Sequence, residues 1–279
     1  MRYRLSCVRN GRPGGDTRES LGSRDSLGRS LVESCDRGSV IEPSEKLGAL
    51  VLVSGGLDSA VTALVAKSLS YRLHGLTFSY GQRHTVEVDR ARLLGLDFEF
   101  VEHRVVELAP FPAGSSALTD PNMKVPKNRA ESELQGGPIP ETYVPARNTI
   151  FLTHALAMCE VWGLHDIFIG VNALDYSGYP DCRPEYLRAF EDLAQLATRV
   201  GVEGRTCFRV RAPLLHRSKA EIVRLGTELG LDFSRTWSCY DPVVTDDGAE
   251  FLACGTCDSC QLRLKGFHEA GVLDPLRYV

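Results

Sequence analysis

Five apolar residues, Ala49-Leu50-Val51-Leu52-Val53, run straight into Ser54-Gly55-Gly56-Leu57-Asp58-Ser59, and a helical pattern begins with Ser59-Ala60-Val61-Thr62-Ala63-Leu64. A short apolar run ended by paired glycines reads as a buried strand that delivers the chain into a tight turn. Glycine accepts positive φ and carries no Cβ to hold a ligand away, and the first N–H groups of the following helix have no partner within it. Strand, glycine turn and helix N-terminus in that order make an anion cradle, so a phosphate is the expected occupant. A glycine-rich turn that holds no ligand is the competing reading. The run is not the G-x-x-x-x-G-K-[ST] loop, because neither the lysine nor the second spaced glycine follows.

From Leu47 onward, short apolar runs alternate with helical periodicity. The pattern predicts strands at 49–53, 73–79, 98–102, 166–171 and 206–212. Helices are predicted near 59–69, 85–95, 149–162, 184–200 and 218–229. Such alternation is the signature of an α/β fold, a doubly wound and mostly parallel sheet covered by helices. The fourth helix places Tyr186, Leu187, Phe190, Leu193, Leu196, Ala197 and Val200 on one face. The fifth is delimited by a capping box, Ser218 with Glu221, and by Gly230 where a left-handed C-cap belongs. Ligands of doubly wound sheets bind beyond the carboxyl ends of strands, where Ser54–Ser59 falls. Residues 103–142 interrupt the rhythm with six prolines and a Gly136-Gly137 pair. A loop of that length is either a lid or partner surface or a tolerated insertion.

With 279 residues, 43% of them hydrophobic, the chain can bury a full α/β core, as one large domain or two small ones. A net charge of −4 gives no global attraction for a polyphosphate backbone. No apolar run reaches the roughly 18 residues of a membrane span, so no membrane partner and a cytoplasmic location are expected. Residues 1–46 differ from the rest, with eight arginines, eight serines, six glycines and no sustained periodicity. They are expected to be a disordered extension. Asp16, Glu19, Asp25, Glu33, Asp36, Glu42 and Glu45 argue against an organelle transit peptide, which is poor in acids.

Nine cysteines are present. Cys254, Cys257 and Cys260 form a C-x-x-C-x-x-C run, and Cys239 stands fifteen residues upstream of it. Two-residue spacers fold the backbone around a metal, so three thiolates from one turn and a fourth from a neighbouring segment suit tetrahedral zinc. With all four positions filled by protein, the zinc would be structural. An iron–sulfur cluster uses the same ligands, and disulfides compete as well. Cys7, Cys35, Cys159, Cys182 and Cys207 are expected to be unpaired, with Cys159 and Cys207 in the core.

Three further clusters fall at predicted strand ends. Gly170 to Glu185 holds Tyr176 and Tyr179 beside Asp175, Asp181 and Glu185. Tyrosine rings stack on a planar heterocycle and carboxylates accept from its N–H groups, whereas the plain alternative is a polar surface loop before a helix started by Pro184. Tyr143-Val144-Pro145-Ala146-Arg147-Asn148 offers a two-pronged cation in Arg147, while Asn148 either caps the next helix or orients a nucleotide. In Ser79-Tyr80-Gly81-Gln82-Arg83-His84, with Glu87 one turn later, His84 and Glu87 are candidate proton carriers. His216 and Lys219 form a weaker basic cluster after the fifth strand.

Ser54–Ser59 resembles the S-G-G-x-D-S loop of the PP-loop ATP pyrophosphatases. Taken with Ser79–His84, Tyr143–Asn148, Gly170–Glu185, Leu214–Glu221 and Trp237–Gly266, the chain resembles the 7-cyano-7-deazaguanine synthase family of the queuosine pathway, from about Leu47 to Phe267. The resemblance implies a Rossmann-like sheet of the adenine nucleotide alpha hydrolase type and an ATP-dependent C–N ligase that turns 7-carboxy-7-deazaguanine and ammonia into the nitrile. It assigns ATP to Leu52, Val53, Ser54, Gly55, Gly56, Leu57, Asp58, Ser59, Ala60, Val61 and Thr62, with Mg2+ on Asp58. Ser54, Asp58, Ser59 and Arg147 take the catalytic roles, and Tyr80, Asn148, Asp175, Tyr176, Tyr179, Asp181 and Glu185 face the base. Cys239, Cys254, Cys257 and Cys260 become structural zinc ligands, with an insertion around Val243–Phe251 lengthening the loop between the first two. An ATP-binding domain over 47–235 and a zinc-binding region over 236–279 follow, with small-molecule partners, no stable nucleic acid, and a homodimer as the expected assembly. Two alternatives stand beside this reading. One is another PP-loop ligase or a tRNA-thiolating enzyme that uses Cys182, and the other is a zinc-dependent RNA-binding module that uses Arg263 and Lys265.

Overall fold

The computed structural model describes residues 47–83, 86–134, 138–174, 179–245, 247–248 and 250–279. The expected disordered extension lies outside these residues, as do His84, Asp175 and Tyr176. Strand β1 (Gly48–Leu52) is followed by α1 (Leu57–Ser68), β2 (Arg72–Ser79), α2 (Val86–Asp97) and β3 (Glu102–Glu107). Then come α3 (Arg147–Trp162), β4 (Asp166–Phe168), α4 (Pro184–Ala197), β5 (Arg209–Arg211) and α5 (Lys219–Glu228). A two-stranded antiparallel hairpin, β6 (Val243–Val244) with β7 (Phe251–Leu252), precedes α6 (Asp258–Ala270).

The five main strands are parallel and lie in the order β3-β2-β1-β4-β5. The chain moves outward from β1 one way through β2 and β3, and then the other way through β4 and β5. That reversal leaves a crevice beyond the carboxyl ends of β1 and β4. Side-chain alternation along β1 sorts the core into two layers. Leu50 and Leu52 join Leu152, Leu156, Leu187 and Phe190 from α3 and α4 on one face. Ala49, Val51 and Val53 join Ala60, Ala63, Leu94, Ile222 and Phe267 from α1, α2, α5 and α6 on the other. The doubly wound α/β expectation therefore holds.

Several boundaries differ from the sequence pattern. The third strand occupies 102–107 rather than 98–102, because Phe98, Glu99 and Phe100 close the end of α2 through N–H bonds to Leu94, Leu96 and Gly95 carbonyls. Charged residues dominate the strand that does form, as suits the sheet edge. The fourth helix stops at Ala197, where Thr198 caps a separate turn over Arg199–Val202. Leu187, Phe190 and Ala194 face inward, whereas Leu193 and Leu196 are exposed. The capping box of Ser218 and Glu221 forms as expected. Cys159 and Cys182 are free and buried. Cys207 is disulfide-bonded and only half-buried, against the expectation of a free core thiol.

Candidate active site

A cavity of about 220 Å³ opens at the crevice. Its floor is the turn after β1. Gly55 has φ +83°, and a Cβ there would lie 2.1 Å from the Glu87 carbonyl oxygen, so only glycine fits where the turn backs onto α2. The Ser59 hydroxyl accepts from the Ser54 N–H (3.2 Å) and donates to the Gly56 carbonyl (2.9 Å), while the Ser54 and Ser59 hydroxyls stand 3.1 Å apart. These bonds fix the turn so that α1 begins at Leu57 with its N-terminus toward the cavity. Leu52, Val53, Ser54, Gly56, Leu57, Asp58 and Ser59 line the cavity. Gly55, Ala60, Val61 and Thr62 support it from behind and are buried.

Asp58 sits on the first turn of α1, and both its carboxylate oxygens accept from Lys219 Nζ at 2.8 Å. Lys219 opens α5 and is 9% exposed. Its stem passes where Gly266 of α6 has no side chain, since a Cβ there would stand 2.3 Å from Lys219 Cγ. The sequence pattern gave Lys219 only a weak basic cluster. The available signal was its place just after the fifth strand, at the same edge of the sheet as the loop.

Opposite the turn stands Arg147, the first residue of α3. The residue before it, Ala146, is held in the left-handed region (φ 54°, ψ 23°), and its N–H donates to the Tyr143 hydroxyl at 3.0 Å. Arg147 Nη1 donates to the Tyr80 hydroxyl at 3.3 Å. Burial alone would lower the Arg147 pKa, but the phenols of Tyr80, Tyr179 and Tyr240 reverse that and raise it, so the cation is firmly held. Glu87 of α2 also lines the cavity. Burial pushes its carboxyl up to about 7, and the Arg147 charge pulls against that rise.

Asn148 does not cap α3 with its side chain, as one sequence reading had it. Its backbone N–H donates to Asp181 Oδ2 (3.0 Å), and its side-chain amide donates to the Asp181 carbonyl (3.1 Å) and Cys182 Sγ (3.4 Å). Asp181 thus supplies the acceptor at the helix start. Among the residues expected to face the base, Tyr80, Asn148 and Tyr179 line the cavity, whereas Asp181 is buried behind it and Glu185 is exposed on α4. The Tyr179 hydroxyl shares a 2.8 Å bond with Thr142, and its ring lies 5.8 Å from that of Tyr143. Asp175 and Tyr176 lie outside the described residues.

The remaining wall comes from the cysteine-rich segment. Trp237, Ser238, Tyr240, Ser259 and Arg263 line the cavity, and the Trp237 N–H donates to the Gly55 carbonyl at 2.8 Å. Behind them the sulfurs of Cys239, Cys254, Cys257 and Cys260 all lie within 4.8 Å of one another. Four thiolates about 2.3 Å from a tetrahedral ion stand roughly 3.8 Å apart, so this set fits a metal. Backbone N–H groups of Cys254 and Asp241 point at Cys239 Sγ (3.2 and 3.4 Å), and that of Cys257 points at Cys254 Sγ (3.3 Å). Such bonds offset the negative charge of gathered thiolates. Hydrogen bonds from the Cys239 and Cys260 thiols hold the Cys257 thiol far below its usual range.

The 103–142 segment is fastened to this knuckle. Asn128 N–H donates to the Thr256 carbonyl (2.8 Å), Arg129 pairs with Asp258 (2.9 Å), and Lys127 pairs with Asp241 (2.8 Å). Between Cys239 and Cys254, β6 pairs antiparallel with β7, and all four sulfurs stay together.

Residues 48–271 match the model of a family described as queuosine biosynthesis protein QueC. The chain belongs to that family. It is 56% identical over 230 residues to a 7-cyano-7-deazaguanine synthase of Geobacter metallireducens, covering 82% of this chain and 92% of the relative. The like-named protein of Nitrosococcus oceani is 55% identical over 82% of this chain and 97% of its own length. That of Rhodopirellula baltica is 49% identical over 88% and 98%. No helix among the described residues is long and apolar enough to cross a membrane.

Proposed function

We propose that the cavity converts 7-carboxy-7-deazaguanine, ammonia and ATP into 7-cyano-7-deazaguanine, with AMP and pyrophosphate as the nucleotide products. The observation that carries this reading is the Gly55 turn aimed into the same cavity as Arg147 and the tyrosine wall, in a chain of this family. A carboxylate resists ammonia until one oxygen becomes a leaving group. Attack of that oxygen on the α-phosphate supplies one, and the Ser54–Ser59 backbone and the Lys219 ammonium hold the departing pyrophosphate. Arg147 stabilises the charge that builds on the transferring group. Ammonia then displaces AMP to give the amide, and a second adenylation of the amide oxygen leads to the nitrile. Tyr80 and Tyr179 offer faces on which the deazapurine stacks, and Asn148 orients it.

Asp58 is a cavity carboxylate on the first turn of α1, a donor that fits a magnesium ion carried in with the nucleotide. Bound magnesium would neutralise phosphate charge. Zinc is the metal we assign to the four cysteines. Its four-sulfur shell leaves no open position, so its part is to hold the Trp237–Tyr240 wall against the turn. We treat 47–235 as the ATP-binding domain and 236–279 as the zinc-binding region of a cytoplasmic homodimer that retains no nucleic acid. The thiolation alternative is disfavoured because burial pushes the Cys182 thiol up to about 12, which leaves it almost entirely protonated and a poor nucleophile at neutral pH.

The test is to incubate zinc-replete protein with ATP, magnesium, ammonium and 7-carboxy-7-deazaguanine, following base mass and nucleotide products. Nitrile with AMP and pyrophosphate is expected. ADP as the product would overturn the adenylation route, and AMP formed only with a different acceptor would overturn the substrate.

A further inference from the structure

Each turnover of that reaction releases protons from nitrogen. Ammonia becomes a substituted ammonium as it bonds to carbon, and the amide nitrogen must shed its hydrogens before the C≡N bond exists. A group inside the cavity has to take them. Among the described residues two carboxylates line the cavity, Asp58 and Glu87. Both oxygens of Asp58 already accept from Lys219 Nζ at 2.8 Å. Cys182 is an acceptor-poor thiol, and the tyrosine hydroxyls are raised above their usual range by burial.

We propose that Glu87 is the catalytic base for the ammonia step and that it relays protons from nitrogen to solvent during nitrile formation. The proposal rests on the adenylation reading above. As the ammonia lone pair forms the C–N bond, one N–H bond breaks and its proton passes to a Glu87 carboxylate oxygen. The acyl C–O bond to AMP then breaks, with its electron pair staying on the phosphate oxygen. Glu87 returns the proton to water and can repeat the service for the two amide hydrogens, while the second AMP departs in the same way.

The position suits the work. Glu87 stands in the first turn of α2, with its backbone carbonyl packed behind the Gly55 turn, and it lines the cavity together with Arg147 and Tyr80. Arg147 of α3 is the charge it feels, its own charge raises the Tyr80 phenol just beyond β2, and Asp58, Arg83 and Lys219 share the cavity with it. Arg147 keeps the deprotonated form accessible, while burial keeps the carboxyl basic enough to take a proton near neutral pH.

Glu87→Gln separates the steps. The adenylation half-reaction is read as pyrophosphate exchange into ATP that depends on 7-carboxy-7-deazaguanine and needs no ammonia. Nitrile formation is read against free NH3 between pH 5.5 and 9. The expected result is a loss of about 10²-fold in kcat/KM for ammonia, at least tenfold more than any loss in exchange, and disappearance of the rise in rate through pH 7. Glu87→Asp should keep a pH-dependent limb at lower rate. Equal losses in exchange and nitrile formation, a raised magnesium requirement, or a raised KM for the acid with the limb intact would each overturn the proposal, placing Glu87 in nucleotide, metal or base binding instead. If the unaltered enzyme itself shows no exchange with this acid, the adenylation reading fails first.

Discussion

The two sides of the cavity are built by different means. The phosphate side is six consecutive residues whose shape is set by backbone: one glycine at φ +83° backed against α2, and two hydroxyls that close the turn from within. The opposite side draws Tyr80, Glu87, Arg147, Asn148 and Tyr179 from separate segments and holds them by side-chain bonds such as Arg147 to Tyr80 and Asn148 to Asp181. A backbone-built site fails all at once when its geometry is blocked. A side-chain-built site loses its contributions one at a time, which makes it the side on which substrate choice can be adjusted.

The sharpest way to break this comparison is Gly55→Ala. The new methyl would sit 2.1 Å from a backbone carbonyl and at a disfavoured φ, so we expect a loss of about 3 kcal/mol or more in urea unfolding and no detectable turnover. If the alanine enzyme kept even a tenth of its activity, the turn would be far softer than its geometry indicates. Lys219→Met tests the one side chain that the phosphate side borrows from a distance. Lys219 pairs with Asp58, and if its cation also meets developing phosphate charge as proposed, its removal should cost about 10²–10³-fold in kcat/KM for ATP, with arginine restoring only part of it.

What the sequence discloses follows the same division. The turn, the apolar run of β1, the capping box of α5 and the four cysteines are all local signals, and each could be read from adjacent residues. The wall could not. Lys219 meets Asp58 across 161 positions, and Glu87 matters because of what surrounds it. Asp181 looked like a base reader from its loop, yet its carboxylate serves the backbone of α3. Phe98 and Phe100 look like strand residues in the sequence, but the backbone of 98–100 is still closing α2, which moves the third strand to 102–107. Burial and pairing partners are properties of the folded chain, so pattern alone cannot supply them.

Metal removal sharpens the comparison from behind, because the Trp237 N–H to Gly55 carbonyl bond ties the cysteine knuckle to the phosphate turn. Chelation, or Cys254→Ser, should lower the unfolding midpoint and raise the KM for ATP by roughly tenfold, with a smaller effect on the acid. Equal effects on both substrates would mean that the metal supports the fold without favouring the turn. Glu87 gives a test with a definite sign. Burial pushes its carboxyl up to about 7, above the ordinary value of 4.5, so the folded state binds the proton more tightly and loses stability relative to the unfolded chain as pH rises from 4.5 through 7. Glu87→Gln should therefore flatten that part of the stability curve. It should gain most on the parent enzyme above pH 7 and least below 4.5, as read by denaturant midpoints across pH.

The smallest expected effect is also the most discriminating for the side-chain wall. Ala146 sits in the left-handed region immediately before Arg147, a placement that costs an alanine about 1–2 kcal/mol. Its side chain is exposed, so packing does not compensate that cost. Glycine at this position removes the strain while adding roughly 0.5–1 kcal/mol of unfolded-state entropy, which leaves Ala146→Gly about 0.5–1 kcal/mol more stable in urea. Relaxing the backbone also loosens the first turn of α3, which aims Arg147 at Tyr80, so kcat/KM should fall a few-fold even as stability rises. Opposite signs would show strain spent on positioning the guanidinium. If stability and activity rose together, the left-handed residue would be a cost without a use, and the aim of Arg147 would have to come from its bond to Tyr80 alone.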